Sequence, residues 1–236
     1  MMIDRENAVM LWTHDLQRLE LSPPEWVELL DDEERTLALR FLREHDRIAY
    51  VAAHALLRLV IANRIGLAPS ALIISRDRFG RPFLDMDECR GIDVSLSHTK
   101  GMVAVALSNA GRVGVDVESV DHERVPRSDL AAYGLSAEEI GRLELMGVAE
   151  RSEAFIELWT AREAVAKADG RGLSLPFSSI RIDLSSSVAS TFDGDDKPSR
   201  HWRLWREEPS LCHRLTLAWS GERGEVMRMK DELPVY

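Results

Sequence analysis

Cysteine is scarce in this 236-residue chain, which has two, Cys89 and Cys212, far apart. No Cys-x-x-Cys pair and no Cys/His spacing of a zinc site occurs, and nothing requires the two thiols to pair. Positive charge is also short: 40 acidic against 30 basic side chains leave a net charge of -10. A generic nucleic-acid binder shows a basic balance, so this counts against that class, although it does not exclude a local basic pocket for a small phosphorylated ligand. The chain lacks a Gly-x-Ser-x-Gly hydrolase elbow and a glycine-rich Walker or Rossmann loop. It lacks a low-complexity linker, so its parts are expected to pack tightly. No apolar run reads as membrane-spanning. The charged opening segment Met1–Trp12 lacks the apolar stretch of a secretion signal. The expectation is a cytoplasmic protein with no membrane contact.

What is present suits a folded domain: 45% hydrophobic and 30% charged residues, in a chain long enough for a sizeable core. Ser22-Pro23-Pro24-Glu25 reads as a capped helix start, and Asp31-Asp32 as a second. Apolar residues from Ile48 to Val60 recur at helical spacing within a span from Asp46 to Ile65, which Gly66 ends. Arg47, His54 and Arg58 share a stripe of that helix, either a solvated flank or a basic edge facing a ligand. Leu72–Ile74 reads as a strand and Phe79-Gly80-Arg81-Pro82 as a turn. Asp93–Ser97, Met102–Leu107 and Val113–Val117 read as an antiparallel three-strand meander. Ser136 caps another helix, and a strongly amphipathic one covers Glu153–Ala168. Strands follow at Ser179–Leu184, Trp202–Trp205 and Arg214–Trp219, with Ser185–Ser199 as a hairpin loop. The two halves echo each other, each with a long helix followed by Gly-Leu, a proline and isoleucines. The fold expected is α+β, two similar lobes packed as a pseudo-dimer, each a small mostly antiparallel sheet with a long helix. The division expected is 1–112 and 113–236.

Three constellations carry chemistry. In Gly114-Val115-Asp116-Val117-Glu118, strand alternation puts both valines on one face and both carboxylates on the other, roughly 7 Å apart. Paired anions suit a hard divalent cation such as magnesium, or form an acidic solvated face. Trp159, Glu163 and Lys167 fall at i, i+4 and i+8 on one helical stripe. That is either a core tryptophan beside a surface ion pair or an anchored stripe presenting charge to a cleft. Ser97 and His98 end a strand, where they hold a phosphate or base edge or simply make a turn.

In order and combination these segments resemble the Sfp-type (surfactin-type) 4′-phosphopantetheinyl transferases. That family carries a Gly-(Ile/Val)-Asp-(Ile/Val)-Glu strand, matched by Gly114–Glu118, and a Trp-x-x-Lys-Glu-(Ala/Ser)-x-x-Lys helix, matched by Trp159, Glu163, Ala164 and Lys167. Gly170-Arg171-Gly172-Leu173, Gly80-Arg81-Pro82 and Ser95-Leu96-Ser97-His98 match three further motifs, and Arg58 falls at an arginine of the family's long helix. The similarity runs from about Leu30 to Trp219.

The resemblance implies transfer of the phosphopantetheine arm of coenzyme A, the substrate, to a serine of an apo acyl or peptidyl carrier protein, releasing 3′,5′-adenosine bisphosphate. It implies Mg²⁺ on Asp116, Glu118 and Glu163, with Glu163 and Lys167 catalytic. Coenzyme A would be held by Arg58, Arg81, Ser97, His98 and Lys167, with Arg43 and Arg47 as candidates for its ribose 3′-phosphate. The N-terminal lobe would be the coenzyme A side and the C-terminal lobe would carry the metal and catalytic helix. A monomer with its site at the lobe junction is the simplest expectation, and Tyr133-Gly134-Leu135 a candidate carrier-facing segment. Two departures stand out: Arg162 replaces the first lysine of the helix motif, and Ser95 replaces an asparagine. Arg162 keeps open an alternative, a non-catalytic relative that binds coenzyme A or a carrier protein.

Overall fold

The longest helix forms where the Ala- and Leu-rich stretch concentrates good helix formers. In the computed structural model it is α3, Glu44–Ile65, closed by Gly66 in the left-handed conformation (φ 72°), whose N–H reaches Ala62 O. The structure describes residues 8–16, 25–120, 130–194, 197–221 and 224–229. The expected helix start at Ser22-Pro23-Pro24 lies outside them. Before α3 come β1 (Ala8–Asp15), α1 (Glu25–Glu28) and α2 (Asp32–Ala38). At α2, Asp31 and Glu34 form a reciprocal capping box. After α3 follow the hairpin β2 (Ile74–Arg76) and β3 (Pro82–Leu84), then β4 (Asp93–Thr99), β5 (Met102–Ser108) and β6 (Val113–Ser119). The rest is α4 (Ala137–Glu144), α5 (Val148–Asp169), β7 (Ile180–Asp183), β8 (Val188–Thr191), β9 (Arg200–Ser210), β10 (His213–Trp219) and β11 (Glu225–Arg228).

The strands make a four-stranded sheet, β11-β1-β5-β4, a five-stranded sheet, β6-β10-β9-β8-β7, and the β2-β3 hairpin. Alternation along each strand splits the core into layers. Val103, Val105 and Leu107 of β5 join the α3 side, while Met102, Ala104 and Ala106 meet Val113, Val115 and Val117 of β6 between the sheets. Leu204 and Ala218 of the second sheet meet Ala161, Ala164 and Val165 of α5. The order is therefore helix, sheet, sheet, helix. The mixed α+β fold is the one expected, and each sheet is backed by a 22-residue helix that ends at a left-handed glycine, Gly66 or Gly170.

Several local expectations are corrected. The meander breaks after β5: β6 pairs with β10 and opens the second sheet. Side chains of β4 meet β6 in place of a backbone ladder. Val113 N donates to Asp93 Oδ2 (2.7 Å), Val115 N to Ser95 Oγ (3.0 Å) and Val117 N to Ser97 Oγ (3.3 Å). The Asp-x-Ser-x-Ser alternation thus satisfies every second amide of β6 across the seam between sheets. Ser185–Ser199 is not all loop. Val188–Thr191 forms β8, since Ala189 and Thr191 alternate inward and are buried. The C-terminal β11 runs parallel to β1 at the edge of the first sheet, a long-range pairing no local pattern marks. Contrary to the reading of the apolar runs, α3 is long and apolar enough to cross a membrane by length and composition, but 78% of that window is buried inside the fold.

Candidate active site

Gly114 sets the approach of α5 to β6. A Cβ there would lie 2.0 Å from Ala164 O and 2.5 Å from Ala168 N, atoms of the residues that directly follow Glu163 and Lys167 on consecutive turns of α5. Only glycine admits a helix backbone so close to a strand. Asp116 and Glu118 therefore face the same cleft as Trp159, Glu163 and Lys167, a space of about 730 Å³ along the seam. The period of two on β6 and the i, i+4, i+8 stripe on α5 converge on it.

At its centre the Lys167 ammonium donates to Asp116 Oδ1 (2.7 Å), Ser97 Oγ (3.1 Å) and Val115 O (3.1 Å). Ser97 also donates to Asp116 Oδ1 (2.9 Å), and Thr99 Oγ1 to Glu118 Oε2 (3.0 Å). Asp116 Oδ2 is buried with no partner among the described residues. Burial, and then the Asp116 charge, push the Glu118 carboxyl up to about 7. The same two causes push Glu163 up to about 7. Lys167 draws both carboxyls back down, but its single positive charge does not offset burial and the Asp116 anion. No three His, Cys, Asp or Glu side chains already converge as a metal cage among the described residues. The donor set nonetheless fits a hard divalent cation: an orphaned, buried carboxylate oxygen and two neighbouring carboxyls that a cation would keep ionised.

The residues expected to hold coenzyme A separate into two groups. Ser97, His98, Lys167 and Arg81 line the cleft. Burial, and next His54 and Lys167, lower His98 to about 4, so its ring is neutral at neutral pH. Arg81 is heavily engaged: it donates to both oxygens of Asp93, to Lys167 O and to Val113 O, and so ties the β2-β3 hairpin to the seam and to α5.

Arg58 requires a correction. It is 1% exposed, with its guanidinium on Glu34, Asp31 and the carbonyls of Pro69 and Leu72. With its donors spent inside the N-terminal half, it does not line the cleft. Arg43 and Arg47 are not cleft residues either. Leu135 is buried and Gly134 packs against Phe177, while Tyr133 and Gly134 keep partial exposure. Arg162 points away from the cleft: its Nη2 donates to both oxygens of Glu139 (2.8 and 2.6 Å), clamping α4 onto α5. The departure from lysine thus falls on a structural arginine. Trp159 packs against Tyr133 and Phe177 and holds the head of the stripe.

Sequence reasoning missed the wall opposite the carboxylates, where Arg40, Phe41, Tyr50, His54, Arg76 and Phe79 line the cleft. His54 was visible on the Arg58 stripe, one turn away, but spacing did not tell which of the two meets the opening.

Two family models match adjoining parts of the chain: "4′-phosphopantetheinyl transferase, N-terminal" over residues 21–110 and "4′-phosphopantetheinyl transferase superfamily" over residues 112–220. The chain belongs to the 4′-phosphopantetheinyl transferase superfamily. It is 27% identical over 206 residues to slr0495 of Synechocystis sp., covering 83% of this chain and 81% of that protein. It is 27% identical over 167 residues to the 4′-phosphopantetheinyl transferase gsp of Aneurinibacillus migulanus, covering 70% and 66%. It is 24% identical over 160 residues to the 4′-phosphopantetheinyl transferase Sfp of Bacillus subtilis, covering 67% and 68%. In this family member Asp116, Glu118, Glu163 and Lys167 occupy one cleft, with the buried Ser97 Oγ joining the two halves at its floor.

Proposed function

We propose that this cleft binds coenzyme A and transfers its phosphopantetheine arm to a serine of an apo acyl or peptidyl carrier protein, in the manner of an Sfp-type enzyme. The observation that carries the reading is the junction of Lys167, Asp116 and Ser97 beside the unpartnered Asp116 Oδ2, with Glu163 one turn from Lys167 on the same stripe. Asp116, Glu118 and Glu163 are the residues that would hold Mg²⁺. When bound, the ion neutralises charge on the pyrophosphate and on the leaving group.

The chain's own groups supply the rest. Lys167 leaves Asp116 for a phosphate oxygen and stabilises the charge that develops during transfer. Ser97 and Arg81 keep the seam closed, and His98 presents a neutral ring to the nucleotide. The serine oxygen of the carrier bonds to the phosphorus of the phosphopantetheine arm. The bond from that phosphorus to the bridging oxygen breaks, and the electron pair leaves with 3′,5′-adenosine bisphosphate. Glu163 would accept the serine proton as its carboxylate. We assign 1–112 as the coenzyme A lobe and 113–236 as the metal and catalytic lobe, and a cytoplasmic monomer as the working form, since both walls of the cleft come from one chain. The test is intact-mass spectrometry of an apo carrier protein incubated with the enzyme and coenzyme A, with and without Mg²⁺. A magnesium-dependent gain of one phosphopantetheine arm is expected, and no gain across acyl and peptidyl carriers would overturn the reading.

A further inference from the structure

Lys167 stands in the last turn of α5, which ends at Asp169. Helix ends fray, because their final carbonyls have no partner within the helix. A group that must meet a reacting phosphate needs to be held to within about 0.5 Å. Something outside the helix therefore has to fix this turn.

Three arginines do so, each on a different carbonyl. Arg81 Nε donates to Lys167 O (3.0 Å), Arg112 Nε to Ala168 O (2.8 Å) and Arg200 Nη1 to Asp169 O (3.2 Å). They come from the β2-β3 hairpin, the residue before β6 and the start of β9. A cation at a helix C-terminus also meets the negative end of the helix dipole. The collar is anchored in turn. Arg81 grips Asp93 of the first sheet, and Arg112 exchanges two 3.0 Å bonds with Ser220 beyond β10. The buried Asp169 carboxylate accepts from Arg171 and Arg200. Gly170 leaves the room: a Cβ there would lie 2.2 Å from Arg112 Nη2.

Two comparisons separate the collar from ordinary capping. Helix α3 ends at the same kind of glycine, yet among the described residues no side chain donates to the carbonyls of Asn63, Arg64 or Ile65. Burial, and then the Arg81 charge, lower the Arg112 guanidinium from its ordinary value. Cations are crowded at the end of α5 against their own repulsion, where water could have satisfied the carbonyls.

We propose that Arg112 and Arg200 are positioning residues: with Arg81 they form a collar that keeps the last turn of α5 from fraying and so holds the Lys167 ammonium over Asp116 and Ser97. Neither Arg112 nor Arg200 lines the cleft, so both act through Lys167. The role of Lys167 in transfer rests on the reading above.

The experiment is hydrogen–deuterium exchange of the full chain without nucleotide, for wild type, Arg112→Met, Arg112→Lys and Arg200→Met, with carrier-modification kinetics on the same samples. Methionine keeps the apolar stem and removes the donors. Loss of one charge-assisted bond corresponds to about tenfold or more. In Arg112→Met, amides of residues 166–170 should exchange about tenfold faster while those of α3 change less than about threefold. The kcat should fall about tenfold, with KM for coenzyme A rising less than about threefold. Arg112→Lys keeps a cationic donor and should return both readings to within about threefold of wild type. Arg200→Met should move both in the same direction as Arg112→Met by about threefold, and it carries the test if Arg112→Met does not fold. A merely structural role would speed exchange in both long helices and leave kcat per folded molecule unchanged. Unchanged exchange at the end of α5, or faster exchange there with wild-type kcat, overturns the proposal. A wild type that modifies no carrier would strike the proposed activity, and the exchange readings would still decide the collar.

Discussion

Replacing Gly114 by alanine adds one methyl group at the tightest contact of the catalytic region. That carbon would lie 2.0 Å from Ala164 O and 2.5 Å from Ala168 N, far inside contact distance. Both are main-chain atoms, and they are the acceptor and donor one helical turn apart in α5, so no rotamer change can relieve the clash. Either α5 moves off β6 or the strand bends. Overpacking usually costs about 1–3 kcal/mol, and a backbone-on-backbone wedge belongs at or above the upper value. For a chain of this length about 3 kcal/mol lowers the melting temperature by roughly 6–12 °C. Function should suffer more. Glu163 and Lys167 each directly precede one of the two clashing residues, and a displacement of about 1 Å of catalytic groups can cost on the order of 100-fold in turnover. The assays are differential scanning calorimetry and carrier-modification kinetics below the variant's melting temperature. A Gly114→Ala protein that melts and turns over like wild type would show that the α5–β6 spacing does not govern the site.

Three further outcomes are expected. Asp116→Asn keeps an oxygen for Lys167 and Ser97 but removes the charge, so transfer should fall by at least about 100-fold with the melting temperature nearly unchanged; measurable Mg²⁺-dependent turnover near wild type would contradict the metal assignment. Arg162→Ala leaves Glu139 without its buried partner and should cost about 3–5 kcal/mol, read from urea midpoints, while turnover per folded molecule stays within about threefold; Arg162→Lys should not raise activity. Burial alone would raise Glu34, but His54 and Arg58 bring its folded-state value down to about 2, below its ordinary value of 4.5. Its contribution to stability, about 3 kcal/mol by linkage, is therefore complete above pH 4.5 and is lost as pH falls toward 2. Urea midpoints measured from pH 6 down to 2.5 should show this loss in wild type and a flatter profile in Glu34→Gln.

Much of the site was legible because its parts are local. The carboxylates of β6 share a face by strand alternation, and Glu163 and Lys167 share a stripe by helical period; both follow from neighbours a few residues away. The same holds for the helix starts at Asp31 and Ser136, which the structure completes as capping boxes with Glu34 and Glu139, and for the helix stops at Gly66 and Gly170. Arg58 was misread because its partners lie 24 and 27 residues away on another helix end, and a basic residue on a stripe looks the same whether it meets a phosphate or a buried carboxylate. The role of Arg162, given only as a departure from a family lysine, was hidden for the same reason, since Glu139 is 23 residues distant.

The sequence by itself determined the helices, most of the strands, and the residue types that can serve magnesium and phosphate chemistry, since each depends on periodicity and caps within a short window. Tertiary structure alone decided that β6 leaves β5 to join β10, that β11 returns to β1, and that serine side chains of β4 close the seam. It also decided which basic side chains open on the cleft and which are consumed inside. The reason is that hydrogen-bond donors are satisfied by whatever the fold brings within about 3 Å, and those groups come from segments up to a hundred residues or more apart in the chain.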